Sequence, residues 1–171
     1  MAGKISKKSW GQLLQRLLTP NGRKEVLDLL CQEYVEEIRS SIQFRGDAER
    51  ISYPQFRDKL LQIAGQEEKH AEWLKARIIV LGGEVPRVSF TPQQGLNSWE
   101  RLRLDGVRER RCIWDLEEQL LTVEQVDSET AELLRHIVEE EKKHREEIVE
   151  MMMRSDPQGG LPIGLSPIAN E

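Results

Sequence analysis

The sequence is poor in the residues that build several common kinds of protein site. It has two cysteines among 171 residues, Cys31 and Cys112, and no C-x-x-C pair. A structural zinc site or a rubredoxin-type iron site is therefore excluded by ligand count. The two thiols lie far apart in the sequence, and their burial inside helices is favoured over a disulfide between them.

The chain also lacks an excess of positive charge and any long apolar segment. Its formal net charge of −5 argues against a general nucleic-acid binder, which needs a basic face to replace counterions. No apolar run approaches the roughly 20 residues that a membrane-spanning helix requires. The N-terminal stretch has no apolar signal core followed by a small-residue cleavage site. We therefore expect no nucleic-acid partner, no membrane span and a cytoplasmic location.

What the sequence does contain is the composition of long amphipathic helices. Apolar residues make up 38% of the chain and charged residues 32%, a mixture that favours helices over sheets. Apolar residues at helical spacing predict four long helices, at about 24–44, 52–81, 97–123 and 127–153. Ser52 and Gln55 form a capping-box pattern at the start of the second helix, and Gly82 and Gly83 end it.

Two further segments flank these helices. Residues 1–22 include a basic amphipathic stretch, which we predict to be an extra short helix docked on the main body or on a partner subunit. A helix on a membrane surface is the alternative. Residues 155–171 form a tail whose proline and glycine content forbids a long helix. The predicted organisation is an N-terminal helix at 1–22, a helical bundle at 23–154 and a tail at 155–171.

The lengths of the connections constrain how the four helices are arranged. The first and second helices, and likewise the third and fourth, are joined by short links and should form antiparallel hairpins. The link between the second and third helices, 82–98, is long enough at about 3.3 Å per residue to run the full length of the bundle. The expected fold is therefore an all-α four-helix bundle of two hairpins joined by one long crossover.

Two Glu-x-x-His pairs lie within this pattern. Glu67 and His70 are on the second helix, and Glu141 and His144 are on the fourth. Charged runs of this kind usually coat the solvent face of a helix. Both pairs, however, fall on apolar seams with leucine or isoleucine before and after them, whereas their charged neighbours fall on the outer faces. The spacing therefore predicts that both pairs point into the bundle.

Carboxylates on the other two helices complete the pattern. Glu109 lies on the apolar seam of the third helix, and Glu37 lies on a weaker seam of the first. Glu33, one turn before Glu37, is the alternative for the first helix. Glu37 precedes Glu67 by 30 residues and Glu109 precedes Glu141 by 32. The chain thus reads as two similar hairpins, each with one glutamate and one Glu-x-x-His pair.

Four buried carboxylates without partners would repel one another or hold protons at raised pKa values. Two divalent metal ions balance their charge, and two neutral imidazoles complete a known type of site in helical bundles. Oxygen-rich ligands with two histidines favour iron or manganese over structural zinc or calcium. We therefore predict a dimetal site, with two iron ions as the first choice and manganese or mixed iron and manganese as the alternatives. The predicted ligands are Glu37, Glu67, His70, Glu109, Glu141 and His144.

These residues resemble the ferritin-like superfamily, in particular bacterioferritins and the dimetal domain of rubrerythrins. The resemblance covers roughly residues 24–153 and is carried by "EEKHAEWLKARIIVLGGEVPRV", "LDGVRERRCIWDL" and "LLRHIVEEEKKHREEI". It implies that Glu67 and Glu141 bridge the metals and that His70 and His144 are terminal ligands. It also implies oxidation of Fe(II) by O₂ or peroxide, or reduction of peroxide.

Three positions depart from these families. Phe44 stands where bacterioferritins have a tyrosine beside the metals, and Glu68 replaces their haem-binding methionine, so we expect no haem. Cys112 stands where rubrerythrins have an additional site glutamate. A rubrerythrin-type peroxidase is therefore less favoured than an oxidase.

The sequence leaves two further functions open. One is a dimetal oxygenase acting on an organic substrate, and the other is a non-enzymatic helical module for dimerisation or interaction. We expect a homo-oligomer with Fe(II) and O₂ or H₂O₂ as small-molecule partners. The segment "LPIGLSPI" in the tail faintly resembles the targeting tails of enzymes packaged in encapsulin shells. A strap across the protein's own bundle is the favoured interpretation of that segment.

Overall fold

The computed structural model describes residues 20–159, which form four helices and no strand. The helices are α1 (Pro20–Ala48), α2 (Pro54–Val80), α3 (Ser98–Val123) and α4 (Ser128–Met153). The predicted four-helix bundle is confirmed. The predicted N-terminal helix at 1–22 falls almost entirely outside the described residues, and so does the "LPIGLSPI" segment of the tail.

The ends of the helices test the predicted capping signals. Asn97 caps α3 by accepting a hydrogen bond from the backbone N–H of Glu100, at 2.8 Å, and the predicted start of that helix is confirmed. The capping box at Ser52 is wrong, because α2 starts after Tyr53 with no side-chain cap. Pro54 has a φ angle already suited to the first helical turn, where no backbone donor is needed. The N–H of Ser52 instead donates to Ser98 Oγ at 3.0 Å.

The first helix is longer than its seam predicts. Residues 20–23, which precede the predicted start of this helix, are already helical, and the helix continues to Ala48 instead of ending near Phe44. Proline is tolerated in a first helical turn, so Pro20 does not interrupt it. At the other hairpin arm, α2 ends as predicted, since Gly82 takes a left-handed φ of 73° that favours glycine.

The crossover, residues 81–97, lies along α1 from one end of the bundle to the other. Near its start, Cys31 Sγ lies 3.6 Å from the carbonyl oxygen of Glu84. Near its end, the side chain of Gln43 accepts from Gln93 N–H at 2.7 Å and donates to the carbonyl of the same residue at 2.9 Å. The contact between Ser52 and Ser98 places the start of α3 beside the start of α2. Helices α2 and α3 are therefore parallel, as the length of the link predicts.

Two apolar clusters form the core, one toward each end of the bundle. One cluster includes Leu74 and Leu134, and the other includes Leu60 and Ile148. These four side chains are fully buried, and burying each contributes about 1.5–3 kcal/mol. On both α2 and α4 the Glu-x-x-His pair lies between the two clusters, so the polar centre is enclosed by apolar layers. Within residues 20–159, no helix has the length and apolar composition to cross a membrane.

Candidate metal centre

The six residues predicted from the seams meet in the middle of the bundle. Each is at most 2% exposed, although all are ionisable. Their donor atoms form two groups, and within each group the atoms lie within 4.8 Å of one another. One group is Glu37, Glu67, His70 and Glu141, and the other is Glu67, Glu109, Glu141 and His144. Glu67 and Glu141 belong to both groups, so each can reach two neighbouring positions.

The two imidazole rings present the same nitrogen to the centre. His70 Nδ1 lies 2.9 Å from Glu141 Oε1 and 3.5 Å from Glu37 Oε2. His144 Nδ1 lies 2.8 Å from Glu67 Oε1 and 3.6 Å from Glu141 Oε2. The rings stack with their centroids 5.8 Å apart. In both histidines, therefore, the nitrogen that faces the carboxylates is the one able to bind an ion.

The outer nitrogen of each ring is held by a residue that the sequence analysis missed. His70 Nε2 donates to Glu140 Oε2 at 2.8 Å, and His144 Nε2 donates to Gln66 Oε1 at 3.2 Å. Each acceptor comes from the opposite hairpin and directly precedes a shared glutamate in the sequence. A hydrogen bond to the outer nitrogen fixes the tautomer and orientation of a metal-binding histidine. The signal that could have found these acceptors is the repeated polar residue immediately before each Glu-x-x-His pair.

Burial governs the protonation of the four carboxyl groups. It raises the pKa of Glu37, Glu67 and Glu109 well above the usual value for glutamate, and the charge of Glu141 raises it further. Burial would raise the pKa of Glu141 as well, but hydrogen bonds from the two histidines hold it far below the usual value. Without metal, Glu141 therefore keeps its charge most readily, and the other three carboxyl groups hold their protons to higher pH than an ordinary glutamate does.

The histidines are charged in the absence of metal. Burial alone would lower the pKa of His70 and His144, but the hydrogen bond and charge of Glu141 outweigh it and raise each pKa to about 9. Both oxygens of Glu37 are buried without a hydrogen-bond partner. Two divalent cations would displace the protons, balance four carboxylates and give these orphaned oxygens a partner. The donor set therefore fits two metal ions.

Glu33 and Cys112 lie beside the centre but outside both groups. Glu33 is 3% exposed, and burial raises its pKa to about 7 while a hydrogen bond with Gln119 opposes the rise. Of the two candidates on the first helix, Glu37 is thus the one that the structure places with the other donors. Cys112 has a pKa raised well above the usual value by burial and by the glutamates of the centre.

Other residues near the centre lie where packing or solvent exposure explains them. His136 is 59% exposed and lies at the surface. Phe44 and Met151 are buried in an apolar cluster. Trp73 packs against the ring of His70 at 5.5 Å between centroids and is 36% exposed. Glu68 turns away from the centre and accepts hydrogen bonds from Arg45 on α1.

A cavity of about 320 Å³ opens between α1 and α3 next to the centre. Glu33 lines it from α1, and Arg108, Arg111 and Cys112 line it from α3. The histidines come from α2 and α4, so this opening lies on the side of the bundle that supplies only glutamates. A small molecule could approach the carboxylates from this side.

Comparison with known proteins places this geometry in context. The sequence matches the ferritin-like domain family over residues 42–154. A search of curated proteins finds no match to the sequence. The fold is similar to that of the bacterioferritin of Desulfovibrio desulfuricans, whose structure reports a diiron site, with a TM-score of 0.73 and 22% identity over 87% of this chain and 95% of that one.

A second similar structure is that of ferritin-like, diiron-carboxylate proteins from Bacillus anthracis str. Ames. It has a TM-score of 0.71 and 20% identity, and the match covers 76% of this chain and 96% of that one. At these identities the likeness concerns the fold. The family match spans α2, α3 and α4 with five of the six clustered residues, all except Glu37. The chain therefore belongs to the family of ferritin-like domains.

Proposed function

We propose that the six clustered residues bind two divalent metal ions, iron in the first place, and that the protein is an oxidoreductase that oxidises Fe(II) with O₂ or peroxide or reduces peroxide. The observation that carries the proposal is the pair of donor groups that share Glu67 and Glu141. Two ions held so closely need bridging carboxylates between them, and buried bundle cores supply them in this way. The diiron sites named for the two similar structures support iron over manganese.

The protein's own residues have distinct tasks in this function. Glu67 and Glu141, which belong to both donor groups, would each help to hold both ions. His70 and His144 present Nδ1 inward because Glu140 and Gln66 hold their outer nitrogens. The apolar clusters above and below keep bulk water away, which strengthens electrostatic interactions at the centre. The bound ions would supply the redox chemistry by changing between Fe(II) and Fe(III).

The test is metal content of the purified protein after anaerobic addition of Fe(II). We expect about two ions per chain, the stoichiometry of a two-metal site. Glu67→Ala and His144→Ala should each lower the metal content while the protein remains helical at low temperature. Glu72→Ala changes an exposed glutamate on α2. It is the matched control and should bind as much metal as the wild type does. Unchanged metal content in both site variants would refute the ligand assignment.

A second candidate function is a dimetal oxygenase that acts on an organic substrate. The cavity of about 320 Å³ beside Glu33 and Cys112 favours it, because such an enzyme needs space for a substrate next to the metals. The two functions are separated by product analysis after single turnover with O₂. An oxidase turns over with Fe(II) alone, whereas an oxygenase inserts labelled oxygen into an added organic compound.

We also infer a homo-oligomer, which sedimentation velocity would test.

A third candidate, a non-enzymatic helical module, is separated from both by thermal unfolding. If the centre binds metal, Fe(II) or Mn(II) should raise the melting temperature, because a ligand of the native state stabilises it. At a free metal concentration about 100 times Kd, the gain would be about 2.7 kcal/mol. A melting temperature that does not respond to metal would favour the module.

A further inference from the structure

A second, larger cavity lies beside the first. Its volume is about 390 Å³, and it is lined by α1, the crossover and α3. Four arginines line it, against two acidic residues. The charged lining consists of Arg39, Arg101, Arg108, Arg111, Glu36 and Asp47. The formal charge of the lining is therefore positive, although the chain as a whole is acidic.

Several guanidinium nitrogens at this cavity are buried without a hydrogen-bond partner among residues 20–159. They are Nε and Nη1 of Arg101, Nε of Arg39 and Nε of Arg108. Arg101 is the most enclosed, since its side chain is 11% exposed and its nearest carboxylate oxygen, on Asp47, is 4.0 Å away. A buried charged donor without an acceptor costs free energy, so a built-in gap of this kind indicates a missing acceptor.

The acids nearby compensate these arginines only in part. Glu36 accepts from Arg39 at 2.7 Å, Asp105 pairs with Arg108, and Asp115 Oδ2 lies 3.6 Å from Nε of Arg111, which is largely exposed. Asp47, at 4.0 Å, is beyond hydrogen-bond distance of Arg101. The buried guanidinium of Arg101 is thus left without a close carboxylate, and its planar group offers paired N–H donors that match the oxygens of a phosphate.

We propose that the arginine-lined cavity between α1, the crossover and α3 binds a phosphate dianion, either free or as the head group of a small organic phosphate. Phe90, Leu104 and Val107 supply an apolar part of the lining, which would accommodate an organic body. The cavity adjoins the smaller one, since Glu36, Arg108 and Arg111 line both. A phosphate ester bound here could extend past Cys112 toward the metal centre. Its use as a substrate rests on the proposed function, whereas its binding does not.

The test is isothermal titration of the metal-free protein, kept in chelator at pH 8 and constant ionic strength, with inorganic phosphate and with phenyl phosphate. Metal-free protein removes coordination of phosphate by iron as an explanation. We expect saturable binding that Arg101→Gln weakens at least about tenfold, because a charge-assisted hydrogen bond is lost. Arg110→Gln, which removes the same charge from an exposed position on α3 outside the cavity, should change affinity less than twofold. Tighter binding of phenyl phosphate indicates an organic ester, and equal binding indicates the free ion.

The proposal is overturned if neither compound binds the wild type at millimolar concentration, or if Arg110→Gln weakens binding as much as Arg101→Gln does. Arg39→Gln, on α1, is the second variant in case Arg101→Gln does not fold, and circular dichroism checks both. Metal content is measured separately on Arg101→Gln and should equal that of the wild type. If the wild type binds phosphate but no metal, the proposed function is refuted and the phosphate site stands. If it binds metal but no phosphate, the phosphate site is refuted and the proposed function stands.

Discussion

The replacement of Glu37 by leucine should stabilise the metal-free protein and weaken its metal binding. Glu37 is 2% exposed, and both of its carboxyl oxygens lack a hydrogen-bond partner. A buried unsatisfied polar atom costs about 1–3 kcal/mol. A proton held by Glu67 can be donated to a carboxyl oxygen of Glu37, which recovers part of this cost. A net gain of about 1–3 kcal/mol for Glu37→Leu remains, equivalent to roughly 2–12 °C in melting temperature for a domain of this size.

When metal is present, Glu37→Leu should instead make the protein less stable than the wild type. Glu37→Leu removes one donor from the group that contains His70, and each tenfold loss of affinity reduces metal-dependent stabilisation by about 1.4 kcal/mol. The assay is thermal unfolding with chelator and with excess Mn(II), which avoids oxidation during heating. Glu25→Leu, an exposed position on α1, is the control and should show no reversal. If Glu37→Leu is less stable than the wild type in chelator, or gains as much from metal, the reasoning is wrong.

Three further predictions follow from the same contacts. Gln66→Ala should weaken metal binding about 10–100-fold without removing a ligand, because His144 loses the acceptor that orients its ring. Competition with a chromogenic chelator measures the affinity. An unchanged affinity would exclude an orienting role for Gln66. Metal addition to unbuffered protein at pH 7 should release protons, because both histidines have a pKa of about 9 and are protonated there. Metal affinity should therefore rise with pH up to about 9. A pH-stat records the release, and its absence would contradict the protonation of the histidines. Asp127→Asn should lower the free energy of unfolding by about 1–2 kcal/mol at pH 7. Asparagine can still cap α4, but it cannot form the ion pair in which Arg77 lies 2.6 Å from Asp127. The pKa of Asp127 is lowered by Arg77 despite partial burial, so the contribution is present above the unfolded value of about 3.9 and is lost as the pH falls through the lower folded pKa. Urea titrations at pH 7 and pH 3 that give equal differences would refute the ion pair.

The positions of the clustered residues could be predicted because helical phase depends only on local spacing. Glu67 and His70 occupy the apolar seam of α2, and the seam must face the core whatever the exact bundle geometry. The choice between Glu33 and Glu37 could not be made in this way. Both are buried and lie one turn apart on α1, so the axial stagger of α1 against α2 decides which one reaches the centre.

Contacts between the two hairpins could not be predicted from the sequence for a related reason. Glu140 reaches His70, and Gln66 reaches His144, only because α2 and α4 are neighbours at a particular rotation. The arginine-lined cavity depends on the path of the crossover along α1, which link length bounds without fixing. Ser52 failed as a cap because two valid local signals competed, and the proline at the first helical position prevailed.

Each hairpin supplies the residue that orients the histidine of the other hairpin. These two residues differ, and this makes the two donor groups unequal. The histidine of the first group, His70, donates to the carboxylate of Glu140, whereas the histidine of the second, His144, donates to the neutral amide of Gln66. The hydrogen bond with His70 lowers the pKa of Glu140, which therefore stays ionised at neutral pH. A charged acceptor makes a hydrogen bond about twice as strong as a neutral one and makes the imidazole a better donor to metal.

We therefore expect the position that contains His70 to fill first. A difference of about 1 kcal/mol corresponds to roughly fivefold in affinity, enough to separate two phases in a calorimetric titration with Mn(II). Glu140→Gln gives both histidines an amide acceptor and should bring the two phases together, whereas Gln66→Glu should bring them together at higher affinity. A single phase in the wild type, or two phases that survive Glu140→Gln unchanged, would mean that the other ligands set the order of filling. The residue before each Glu-x-x-His pair would then orient the ring without tuning it.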